Sequence, residues 1–135
     1  MSVRKGILSL LSVILLSSSM YAQGYRIELE FQGLSNDTVI LGEYFTSRMI
    51  PKDTLVLDTH GRGAFEGETA FVGGLYLIYF DPSHYFDFLL GDDQDMSIRA
   101  DTADLVNGLV FRDSEDNRVF QEYKGFLQQK RLELD

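Results

Sequence analysis

The chain has 135 residues, with 21 acidic against 12 basic side chains, a net charge of −9 at pH 7 and no cysteine. The acidic balance argues against nucleic acid and anionic membrane surfaces as partners. Lack of cysteine excludes disulfide staples, thiol nucleophiles and CxxC redox pairs, so the fold must rest on burial, for which the length allows one core of ordinary size.

The chain opens MSVRKGILSLLSVILLSSSMYAQG. Arg4 and Lys5 form a basic start, residues 6–16 are apolar, Ser17 to Ser19 are polar, and Ala22 is small: the pattern of a secretory signal peptide over 1–22, cleaved between Ala22 and Gln23. The apolar run is shorter than the roughly 20 residues that span a bilayer. Without Arg4 and Lys5, ten of the 12 basic residues face 21 acidic ones, a net charge near −11. The expectation is an exported chain in the periplasm or cell envelope, not integral to the membrane once cleaved.

YRIELEF (25–31) alternates, with Tyr25, Ile27, Leu29 and Phe31 on one side and Arg26, Glu28 and Glu30 on the other, which predicts a half-buried strand. GLSND breaks it, TVILGEYF (38–45) reads as a second strand, and SRMIPKD reads as a loop because Pro51 interrupts regular pairing. TLVLDTHGRGAFEGE (54–68) reads as a hairpin turning at DTHGRG. GLYLIYF (74–80), almost wholly apolar, predicts a central strand covered on both faces. YFDFLLG (85–91), MSIRA (96–100) and GLVF (108–111) follow, separated by the turns DPSH and GDDQD. Short strands at this spacing predict a mainly β domain over 23–112, an antiparallel sandwich of about seven to eight strands.

At DSEDN the pattern changes to a helix over 113–135. Asp113 or Ser114 can cap it, Glu115 and Asp116 suit its start, and Lys124, Lys130 and Arg131 suit its end. Phe120, Tyr123 and Leu127, flanked by Val119 and Phe126, make one apolar stripe, a candidate contact with another domain or a protein partner.

No catalytic constellation is visible. His60 and His84 lack metal-ligand spacing and there is no GxSxG elbow, so no catalytic residue, cofactor or metal is expected. The acidic turn at Asp92, Asp93 and Asp95 has oxygen donors but not the spacing of a calcium loop, and reads as a solvated turn. Tyr76, Tyr79 and Tyr85 would form a binding platform only if they converged on one concave surface; alternation of strand faces favours a core role. Thr38, Thr54 and Thr102 each follow an Asp and precede an apolar residue, at borders where Asp and Thr are favoured by local hydrogen bonding. The same triplets resemble the O-glycosylation acceptor motif of exported Bacteroidetes proteins.

Taken together, YRIELEFQGLSNDTVILGEYF, KDTLVLDTHGRGAFEGE, GGLYLIYF and DSEDNRVFQEYKGFL resemble the N-terminal domain of secreted Bacteroidetes thioredoxin-like thiol-disulfide oxidoreductases, over Tyr25 to about Leu134. The resemblance rests on Asp58, Gly61 and Phe65, on Gly74 to Tyr76, and on Ser114, Asn117, Phe120 and Tyr123. It implies a β-sandwich of unknown function that precedes a thioredoxin fold with a CxxC motif. This chain departs from that pattern by having no cysteine, so no redox residue carries over. The expected role is a noncatalytic accessory module that positions, dimerises or recruits substrate for a thioredoxin-like domain, with the terminal helix as connector. The alternative is a free-standing envelope module that binds glycan or protein.

Overall fold

A computed structural model describes residues 24–134. The expected signal peptide and its junction at Ala22 and Gln23 lie outside the described residues. Eight strands precede one helix: β1 (Tyr25–Gln32), β2 (Thr38–Phe45), β3 (Arg48–Val56), β4 (Arg62–Gly67), β5 (Gly74–Asp81), β6 (His84–Leu90), β7 (Asp95–Asp101), β8 (Leu109–Arg112) and α1 (Glu115–Leu134). They form two four-stranded sheets, β4-β1-β7-β8 and β3-β2-β5-β6. This is the mainly β sandwich with a C-terminal helix that the strand spacing predicts.

The core lies between the sheets because the inward positions of the alternating strands are apolar. Ile27, Leu29 and Phe31 of β1 and Met96, Ile98 and Ala100 of β7 face Val39 and Leu41 of β2, Tyr76 and Ile78 of β5, and Phe86 and Phe88 of β6 in one cluster. Burying side chains of this size contributes roughly 1.5–3 kcal/mol each against leaving them exposed. β5 buries Tyr76, Leu77 and Ile78 in succession, but the other sheet covers only its inner side; on its outer side Leu77 is buried while Leu75 and Tyr79 are half-buried, short of the cover on both faces that its apolar run predicts.

Three further expectations need correction. The sandwich is not wholly antiparallel, since β1 and β7 pair in parallel, Ile27 opposite Met96 and Leu29 opposite Ile98. Period-two alternation fixes which face is buried and leaves strand direction open. SRMIPKD is not a loop, because β3 runs straight through Pro51. Pro51 is tolerated because β3 lies at a sheet edge, and because a bulge pairs Leu41 with Asp53 and Gly42 with Pro51, leaving Lys52 extra.

The third correction concerns residues 54–68, which do not form a hairpin. β3 belongs to one sheet and β4 to the other, where β4 pairs with β1. The turn between them is an arch. Asp58 Oδ1 accepts the backbone N–H groups of His60 at 2.8 Å and Arg62 at 2.9 Å, which holds its carboxyl below the usual carboxylate range. Gly61, at φ +73°, passes so close to the Phe31 carbonyl that a Cβ would collide with it. Asp and Gly suit an arch as well as a hairpin turn, and only the destination of the outgoing strand separates the two.

Candidate functional site

The site builds from the start of α1. Asn117 is fully buried. Its Oδ1 accepts the Leu89 N–H at 2.7 Å, and its Nδ2 donates to the Leu89 carbonyl at 2.8 Å and to Ser114 Oγ at 2.8 Å. The side-chain amide thus pairs with the edge of β6 as a neighbouring strand would. One turn on, Gln121 Nε2 donates to the Leu109 carbonyl of β8, and Lys124 Nζ donates to the Asp87 carbonyl of β6 at 3.3 Å, with Asp87 Oδ1 at 3.6 Å. Spacing of three and four residues puts Asn117, Gln121 and Lys124 on one face of α1. That polar face closes the open side of the sandwich between β6 and β8, covering two edges that would otherwise template pairing with other chains.

Docking by polar groups leaves the apolar stripe outside. Phe120 is half-buried, with Lys124 Nζ 4.6 Å from its ring centroid. Tyr123 is 56% exposed, Phe126 54% and Leu127 45%, and every residue from 125 to 134 is exposed. The four residues expected to meet a partner are therefore gathered on one helix, with three of them open to solvent. The sequence missed Asn117 as the anchor because an apolar stripe is the usual inward face of an amphipathic helix. Ser114 three residues before Asn117 was the available signal.

The outer faces of the sheets differ. On β4-β1-β7-β8, outward positions are charged: Arg26 pairs with Glu28 and Glu66, and Glu30 with Arg62 at 3.3 Å and Arg99 at 3.2 Å. These cations hold Glu28 and Glu30 below the usual carboxylate range. They line a shallow cleft of about 580 Å³ with Arg112. Positive and negative groups alternate in it, so the cleft has no single sign to offer a ligand. A second cleft, of about 800 Å³, runs past Tyr25, Phe71 and the turn at Asp92, Asp93 and Asp95. Buried Gln94 organises this turn, accepting the Phe71 N–H at 2.9 Å and donating to the Phe71 and Gly91 carbonyls. Among the described residues no group of three His, Asp or Glu could hold a metal ion.

On β3-β2-β5-β6 the outer face is apolar. Register sets Ile40, Tyr79 and Tyr85 in one row and Gly42, Leu77 and Asp87 in the next. Leu77 and Met49 close over Gly42 on this face, and the Asp87 and Tyr85 neighbours raise the Tyr44 hydroxyl's affinity for its proton, after burial itself. Tyr76, Tyr79 and Tyr85 do not converge: Tyr76 points into the core against Phe71 and Phe88, while Tyr79 and Tyr85 sit on the opposite face. Thr38 and Thr54 are exposed on β2 and β3, whereas the Thr102 hydroxyl is half-buried and donates to the Gln32 carbonyl at 2.8 Å. His60 lies on the arch and His84 at the β5–β6 turn, where it pairs with Asp81 at 2.7 Å and stacks on Phe80. Among the described residues no helix is long and apolar enough to cross a membrane. No family model matches the chain and no curated protein matches it, so the functional reading rests on α1 and the two sheet faces.

Proposed function

We propose that this chain is a noncatalytic accessory module of an exported thioredoxin-like thiol-disulfide oxidoreductase, acting by positioning or dimerisation through α1. The redox domain would be supplied in cis beyond Asp135 or by a separate protein. The observation that supports this reading is the exposed stripe of Tyr123, Phe126 and Leu127 on a helix already anchored by Asn117. A helix that served only to close the sandwich would turn its largest apolar side chains inward. The free-standing glycan-binding alternative loses its three-tyrosine platform, because Tyr76 is consumed by the core.

The test is to recover the protein from the envelope fraction of its own cells, cross-link it through Lys130, and map the peptides. A CxxC sequence in the same polypeptide, or in a protein joined to Lys130, is the expected result. A mass equal to residues 23–135, with Lys130 joined only to itself or to proteins without CxxC, would overturn the proposal.

A further inference from the structure

The edge strands of the sandwich are β4 and β8 in one sheet and β3 and β6 in the other. Three of them are closed to pairing. Pro51 and the bulge at Lys52 interrupt β3, Asn117 takes both backbone groups of Leu89 on β6, and Gln121 takes the Leu109 carbonyl of β8. β4 has no such cover. The Phe31 N–H donates to the Gly61 carbonyl, so at Arg62 the backbone turns away from β1: its N–H donates to Asp58 Oδ1 and its carbonyl accepts the Asp58 N–H. Alternation along the strand turns the N–H and carbonyl of Ala64 and Glu66 outward as well, and among the described residues nothing bonds to them. Asp58 fills the edge beside Arg62 and β4 ends at Gly67, so the open stretch is Gly63 to Gly67, with Phe65 at its centre.

We infer that two copies of this chain join edge to edge through β4, antiparallel about a two-fold axis at Phe65, so that β4-β1-β7-β8 and its counterpart become one continuous sheet. In this register Ala64 lies opposite the partner's Glu66 and exchanges both backbone hydrogen bonds with it, and the axis repeats the exchange. All the outward groups of Ala64 and Glu66 are then paired. An axis at Ala64 would set Glu66 against an Arg62 backbone that Asp58 already holds, an axis at Glu66 would set like charges opposite each other, and an axis between residues would turn a core face to solvent. Charge selects a second copy over an unrelated strand. Arg62 precedes the axis while Glu66 and Glu68 follow it, so antiparallel self-pairing brings opposite charges together where parallel pairing would set Arg62 on Arg62. Glu68, exposed and without an ion pair among the described residues, comes opposite the partner's Arg62. That guanidinium has donors to spare, because Glu30 is shared between Arg62 and Arg99. α1 packs at β8, the other end of the sheet, so the contact depends on neither its stripe nor a redox partner.

The test is the association state of the full chain, as its cells process it, by sedimentation equilibrium with hydrogen exchange read at single amides. A dimer is expected at about 100 µM, with the Ala64 and Glu66 amides protected in the dimer and open in the monomer, while Phe65, bonded to β1, is protected in both. Ala64→Pro removes an N–H that its own sheet does not use and should weaken association roughly tenfold or more, with an unchanged circular dichroism spectrum. Glu68→Arg, which sets like charges opposite, should weaken it about threefold. A chain that stays monomeric to about 100 µM overturns the inference. So does a dimer that Ala64→Pro leaves as strong as the wild type, or one in which Ala64 and Glu66 exchange freely, since the contact then lies elsewhere. Protection of those two amides in the monomer overturns it too, because the edge would then be filled from within the same chain.

Discussion

Asn117 satisfies two backbone groups of Leu89 that no strand reaches, since β6 is the last strand of its sheet. Replacing it with Ala would leave a buried N–H and a buried carbonyl without partners, together with a small cavity beside Met96. Loss of this kind costs about 2–3 kcal/mol. Asn117→Ala should therefore lower the urea midpoint clearly and speed amide exchange at Leu89; an unchanged midpoint would mean that α1 is not held by this contact. Gln94 works the same way on Phe71 and Gly91. Neither amide was legible as buried, because Asn and Gln are mostly exposed and only unpaired backbone groups brought against them by the fold, at a strand edge for Asn117 and in a turn for Gln94, make them necessary.

At the scale of elements, the β2–β3 hairpin holds a local conflict. Its two-residue loop, Thr46 and Ser47, has φ of +43° and +69°, the left-handed region that suits Asn and Gly far better than β-branched Thr. Substituting Asn-Gly for Thr46-Ser47 should stabilise the protein by about 1 kcal/mol, raising Tm by roughly 4 °C in a calorimetric scan. A fall in Tm would show that the Thr46 or Ser47 side chain has a role of its own. β1, β6 and β7 were legible nearly to the residue because each buries one face of alternating side chains, and β2 and β5 because each is a short apolar run bounded by turn residues. The path of residues 48–68 was not: Pro51 reads as a break until β3 is known to be an edge, and an Asp-Gly turn leads equally well into a hairpin or across the sandwich.

Across the whole molecule, the two sheets are tied at one end by Tyr25 of β1, whose hydroxyl donates to Asp53 Oδ2 of β3 at 2.9 Å. Its ring packs on Phe71 at 4.3 Å between centroids and lies over Gly67, where a Cβ would strike it. Burial, followed by the Asp53 carboxylate, pushes the Tyr25 pKa up to about 12. A raised value stabilises the fold fully below the ordinary tyrosine range near 10, and this contribution is lost as pH rises through about 12. The advantage of the wild type over Tyr25→Phe in denaturant should accordingly be present at about pH 9 and shrink by about pH 11.5. Asp58, Glu28 and Glu30 are shifted the other way, so their contribution is present above the usual carboxylate range and disappears on acidification below it. An advantage that is the same at both alkaline pH values would rule out Tyr25 as the tie between sheets.

The sequence alone determined the class of fold, its single core and the end that becomes helical, because side-chain period and turn residues act within a few positions and need no partner. It also marked Phe120, Tyr123, Phe126 and Leu127 as one stripe. Only the tertiary structure decided which strands pair, the parallel run of β1 with β7, and the polar side on which α1 docks. Those depend on where a strand edge, an unpaired carbonyl and an apolar face come to lie together in space. No local period in the chain encodes that meeting.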